Sequence, residues 1–132
     1  MTSDMPSAVA QDFFQRCFRG HVSSAVELLD PRVTYRVPGS HELAGTFEGP
    51  QEVASHVERF LRMTSSPVDV LQWEDWMIGV NNLAGLVKVR AQRQGMVETI
   101  RAIFLVTMSA HATISGVELF FDDQARVERF FK

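Results

Sequence analysis

Between residues 68 and 121 the chain is a succession of β-branched and aromatic stretches separated only by short turn signals, and this leaves few folds open. The signals are Gly79 to Asn82, Gln94-Gly95 and Ser109 to Ala112. Connections this short join antiparallel neighbours, because a parallel neighbour needs a crossover of a dozen or more residues. The pattern predicts four consecutive antiparallel strands, approximately Val68 to Ile78, Leu83 to Arg93, Val97 to Met108 and Thr113 to Phe121.

The second of these strands alternates cleanly. Val87, Val89 and Ala91 face one way, and Lys88, Arg90 and Gln92 face the other, toward water. The third contains Ala102-Ile103-Phe104-Leu105-Val106, a continuously apolar run that asks for cover on both faces. Helices can cover one face, and the chain has no further element for the other. The expectation is therefore a homodimer packing sheet against sheet through this outer face, with Glu118 on the dimer side.

The first half supplies the helices. Val9, Phe13, Cys17 and Phe18 recur at three- and four-residue spacing between Pro6 and Arg19, which predicts a first helix ended by Gly20. A second, short helix is expected from about Ser23 to Leu29, capped by Ser23 or Ser24 and stopped by Asp30-Pro31. Val33 to Val37 reads as a strand, followed by a polar loop, SHELAGTFEG. Pro50 opens a third helix reaching Met63, with Val53, His56, Val57, Phe60 and Leu61 in one stripe. Val127, Phe130 and Phe131 predict a short closing helix. Together these give an α+β fold: a curved, antiparallel-rich sheet wrapped around a long helix, two further N-terminal helices and an apolar pocket. The 132 residues suit one domain spanning 1–132.

Charge and composition exclude several functions. The net charge is −3 and the basic residues are scattered, so no footprint for nucleic acid is present. The N-terminal segment lacks a secretory signal, and the longest uncharged run, Ala102 to Val117, is interrupted by Ser109, His111 and Ser115. A cytoplasmic protein without membrane association is expected. His21, His41, His56 and His111 are dispersed and show no metal-ligand spacing, so neither metal nor cofactor is expected. Cys17 reads as core packing rather than as a nucleophile.

The order helix, helix, strand, helix and four-stranded meander resembles the nuclear transport factor two-like superfamily, which includes ketosteroid isomerases and SnoaL-like polyketide cyclases. The segment VTYRVPGSHELAGTFEGPQEVASHVERFL is similar to the strand, loop and third helix of SnoaL-like proteins, and ISGVELFFDDQARVERFF to their last strand and terminal segment. The resemblance covers about Val9 to Phe131 and implies a conical domain with a deep pocket, commonly dimeric. Fold alone does not assign a reaction. Gapless comparison with the isomerases places Phe13, Arg36 and Phe104 at the positions of their tyrosine, proton-transfer aspartate and acidic donor. All three polar groups of that mechanism are thus missing. The Arg-x-Asp pair of the limonene epoxide hydrolases is also absent from the chain.

Candidate chemistry then falls to three residues. By the same comparison Arg36 projects into the pocket, where its guanidinium could hold an oxyanion; the alternative is a solvent-facing ion pair. Strand alternation groups Asp75 with Leu71, Trp73 and Met77 on an apolar face, where desolvation would raise its pKa into the range of a general base. One bulge would exchange the two sets of that strand. His56, on the inward stripe of the third helix, titrates near neutrality when unperturbed and is a second proton-transfer candidate, or a core histidine. His41 is placed near the pocket mouth. Phe13, Tyr35, Trp73, Phe104, Val117, Leu119 and Phe121 are candidates for an apolar ligand-binding wall. The expected function is a cofactor-free isomerase or cyclase acting by proton transfer on a hydrophobic, carbonyl-containing, polyketide-like metabolite. The alternatives are a non-catalytic small-molecule binder and a dimeric scaffold with a filled pocket.

Overall fold

In the computed structural model, which describes residues 5–64 and 68–132, six strands form one sheet in the order β2-β1-β6-β5-β4-β3. The helices are α1 (Met5–Phe18), α2 (Val22–Ala25), α3 (Gly49–Met63) and α4 (Gln124–Phe130), with a 3₁₀ turn, Val26–Leu28, after α2. The strands are β1 (Leu29–Val37), β2 (Gly45–Glu48), β3 (Asp69–Ile78), β4 (Asn82–Arg93), β5 (Met96–Met108) and β6 (Ile114–Phe121). Among the described residues no helix is long and apolar enough to cross a membrane.

The meander forms as its turns dictate. Gln94 and Gly95 both adopt positive φ, 51° and 81°, which gives the β4–β5 turn the twist a tight hairpin needs. Every neighbouring pair is antiparallel except β1 and β6, which run parallel and align Tyr35 with Val117. That pairing brings the first strand beside the last and closes the sheet around the helices.

The expected boundaries need four corrections. The second helix starts at Val22 rather than Ser23, with His21 at its N-cap and no side-chain cap. It is cut short because β1 already begins at Leu29, so Asp30-Pro31 lies inside a strand end. Part of the expected polar loop is strand: Gly45–Glu48 pairs with Thr34–Val37 of β1. Finally, β3 is bulged twice, between Val70 and Gln72 and between Trp73 and Asp75.

The core lies between the sheet's inner face and the helices. Val87, Val89 and Ala91 of β4, with Ile100, Ala102, Phe104 and Val106 of β5, are buried on that face. Phe14 of α1 stacks on Phe104 with ring centroids 3.8 Å apart. On the opposite face Leu86, Ile103 and Phe120 form one cross-strand row. Ile103 is 38% exposed and Phe120 44%.

Candidate functional site

Helices α1 and α3, the loop after β1 and the inner faces of β1, β4, β5 and β6 enclose a cavity of about 90 Å³. Phe14 and Phe18, Tyr35 and Val37, Val57 and Phe60, Phe104, Leu119, Phe121 and Phe131 supply most of its wall. Its lining carries four side chains with a polar or sulfur atom: Cys17, Tyr35, His41 and His56. This composition follows from the sequence, since each contributing element turns its apolar stripe to the same space.

His56 sits on the buried stripe of α3. Its ring stacks on Phe47 with centroids 4.3 Å apart and lies 5.3 Å from that of Tyr35. Burial, then the nearby His41 and Arg59, lowers its pKa to about 4, so the imidazole is neutral at pH 7. His56 and Leu43 also line a wider, more open groove of about 650 Å³ between α3 and the segment before it, together with Glu42, Glu52, Glu58 and Arg59. His56 therefore borders both the apolar cavity and a groove of charged residues.

His41 is held by its own loop. The Leu43 N–H donates to His41 Nδ1 at 3.1 Å, and the ring lies 5.5 Å from that of Phe131. Burial lowers the His41 pKa, opposed by the Glu128 carboxylate and the Pro38 carbonyl. Glu128 of α4 fastens this loop: its carboxylate accepts from the Ser40 N–H at 3.1 Å, the Ser40 hydroxyl at 3.0 Å and the Gln124 amide at 2.7 Å. Gly39, at φ 113°, lies directly beneath that carboxylate, and a Cβ there would overlap Glu128. Burial disfavours the charge on Glu128, but these hydrogen bonds and His41 outweigh it, and its pKa is lowered.

Burial pushes the Cys17 thiol up to about 12, leaving it protonated and inert. Burial and then Cys17 raise the Tyr35 phenol, which stays neutral.

Two of the three expected catalytic residues lie away from the cavity. Arg36 is on the sheet's outer face with 65% of its side chain exposed, and it pairs with Glu118 at 3.7 Å. The parallel β1–β6 pairing puts those two residues side by side and turns Tyr35 and Val37 inward in Arg36's place. Asp75 is also exposed on the outer face, where its Oδ1 accepts from the Trp76 N–H at 2.8 Å. The bulge at Trp73/Asp75 carries Trp73 and Trp76 inward together and leaves Asp75 and Met77 outside. Glu74 is likewise on the outer side, bound to Arg101 at 2.9 Å.

Of the expected wall, Tyr35, His41, Phe104, Leu119 and Phe121 line the cavity. Phe13 and Val117 are buried in the core without reaching it. Trp73 stands behind Phe14 and Phe104, 6.2 and 6.1 Å away between ring centroids. Phe14, Cys17 and Phe131 line the cavity without having been singled out for it. Phe14 and Phe131 each follow another phenylalanine, and spacing alone does not say which of two adjacent rings turns inward.

No family model matches the chain. Its curated relatives include uncharacterized proteins of Mycobacterium tuberculosis (strain H37Rv) and Mycobacterium bovis, each 29% identical over 136 residues and covering 99% of both chains. Among solved structures, an NTF2-like protein from Burkholderia xenovorans superimposes with a TM-score of 0.85 at 14% identity, covering 100% of this chain and 99% of the other. A proposed polyketide cyclase from Xanthomonas campestris gives a TM-score of 0.82 at 9% identity, covering 100% of both. SalBIII, an epoxide hydrolase/cyclase-like enzyme with a role in pyran ring formation, gives 0.73 at 14% identity over 88% of this chain and 89% of its own. These likenesses establish the fold: the chain has the nuclear transport factor two-like fold that its sequence resembles.

Proposed function

We propose that this NTF2-like chain is a cofactor-free isomerase or cyclase for a compact, carbonyl-bearing apolar molecule, and that the proton it moves passes through His56. The observation that carries this reading is the position of His56, whose imidazole borders the apolar cavity on one side and the charged groove on the other. It can thus take a proton from a bound molecule and exchange it with water. Being neutral at pH 7, it is in the form a general base requires. A group with a pKa of about 4 is a weak base, so it matches protons that are already acidic, such as those between two carbonyls of a polyketide-like chain. The proton leaves carbon as the enolate forms, resides on the imidazole and is returned to oxygen or to another carbon. The cyclase neighbours of the same fold support this chemistry. At about 90 Å³ the cavity is smaller than the engineered cavity of about 150 Å³ that accepts benzene, so the fitting molecule is small.

A second reading, binding without turnover, is favoured by the absence of Asp75 and Arg36 from the cavity wall. Deuterium exchange at C3 of pentane-2,4-dione, followed by NMR, separates the two. Under the catalytic reading the wild type accelerates exchange over buffer and His56→Gln abolishes the acceleration. Saturable binding without acceleration supports the binding module instead.

The assembly proposed is a homodimer through the outer sheet face. The row of half-buried Leu86 and exposed Ile103 and Phe120 supports it, with exposed Met77 and half-buried Leu105 beside it.

A further inference from the structure

Two buried side-chain nitrogens among the described residues have no hydrogen-bond partner: His41 Nε2 and Trp73 Nε1. The indole nitrogen is a donor, and the imidazole nitrogen is made one by its surroundings. Because the Leu43 N–H occupies His41 Nδ1 as an acceptor, the neutral ring must carry its hydrogen on Nε2. The Pro38 carbonyl draws on this ring as a weak acceptor and the Glu128 carboxylate acts on it through its charge, but neither gives Nε2 a hydrogen bond of good distance and angle. His41 lines the cavity, and its loop is fixed by the hydrogen bonds that the Ser40 N–H and hydroxyl donate to the Glu128 carboxylate. A buried N–H without a partner, on a residue that lines a mostly apolar space, is costly unless something bound there accepts from it.

We infer that His41 Nε2–H is the recognition donor of this site, and that the ligand carries a carbonyl or ether oxygen which accepts from it at the Phe131 end of the cavity. His41 is then a specificity-determining residue: it favours molecules with an acceptor and disfavours hydrocarbons of the same shape. This rests on the reading that the cavity takes a ligand, and it adds which atom of that ligand is read and by which group. The Trp73 N–H, behind Phe14 and Phe104, is a second unpaired donor on the same inner face. The set of unpaired groups thus calls for acceptors.

The test uses cyclopentanone and methylenecyclopentane, a ketone and a hydrocarbon of nearly the same shape, with the intact chain and its His41→Phe variant. The expected result is that the variant weakens ketone binding about tenfold and changes hydrocarbon binding less than twofold. The hydrocarbon serves as the control for any disturbance of the loop, which would weaken both probes alike. In the wild type, the ketone and not the hydrocarbon should shift the His41 Nε2–H resonance in nitrogen-15 spectra, a readout that does not depend on the variant folding. Equal losses for both probes with an unmoved resonance would overturn the assignment while leaving the cavity reading intact. No binding of either probe to the wild type would overturn both.

Discussion

The indoles of Trp73 and Trp76 stack with centroids 4.9 Å apart, on the same face of β3 although they are three residues apart. An unbroken strand would send them to opposite faces, and the bulge between Trp73 and Asp75 brings them together. Asp75 is thereby turned outward. Asp75→Asn, which keeps the oxygen that accepts from the Trp76 N–H, should leave ligand binding unchanged and stability within about 0.5 kcal/mol of wild type. Denaturant unfolding and ligand titration check this.

The same stack constrains Gly85. A Cβ at that position would stand 2.7 Å from the Trp76 ring, which is held on its other side by the stack on Trp73. Gly85→Ala should destabilise by about 1–3 kcal/mol through overpacking, measured as a lower urea midpoint with an unchanged slope.

Stability should depend on pH through His56. Its folded pKa is about 4, against 6.5 when unperturbed, so the unfolded chain binds the extra proton in the interval between them. The folded state is favoured in full above pH 6.5 and loses this contribution progressively as pH falls toward 4. The loss amounts to roughly 3 kcal/mol. Urea unfolding at pH 7 and pH 5 should show a smaller difference for His56→Phe than for the wild type.

Cys17 should resist alkylation. With its thiol pushed up to about 12 and its side chain buried, reaction with iodoacetamide at pH 8 should proceed only as fast as the chain unfolds. Rapid labelling of the native protein would contradict this placement.

If the outer sheet face holds a dimer, Ile103→Lys should convert the protein to a monomer without loss of fold, because Ile103 is exposed and lies between Leu86 and Phe120 in that row. Sedimentation of wild type and variant at micromolar concentration decides it.

Much of the fold was legible because its signals are local. Turn residues such as Gln94-Gly95 and the alternation of Val87, Val89 and Ala91 against Lys88, Arg90 and Gln92 placed all four meander strands within a residue of their observed limits. His56 and Phe60 were legible from their stripe on α3. What could not be read depended on partners distant in sequence. Gly45–Glu48 is polar and short, and becomes a strand only by pairing with β1. The outward turn of Arg36 follows from its pairing with Glu118 across the parallel β1–β6 register. Asp75 was misplaced because a bulge leaves little trace in composition, although the strand's sensitivity to one was evident.

The central claim is that the apolar cavity between the helices and the sheet is a ligand site, and filling it tests this most directly. Ala102, on the cavity wall, should accept leucine with little loss of stability because the added carbons enter empty space. Thermal unfolding of wild type and Ala102→Leu is then compared with and without cyclopentanone. At ten times its dissociation constant the ligand should add roughly 1.4 kcal/mol to the wild type, a rise of about 5 °C, and nothing to the filled variant. No saturable rise in the wild type, or an equal rise in the variant, would contradict the claim.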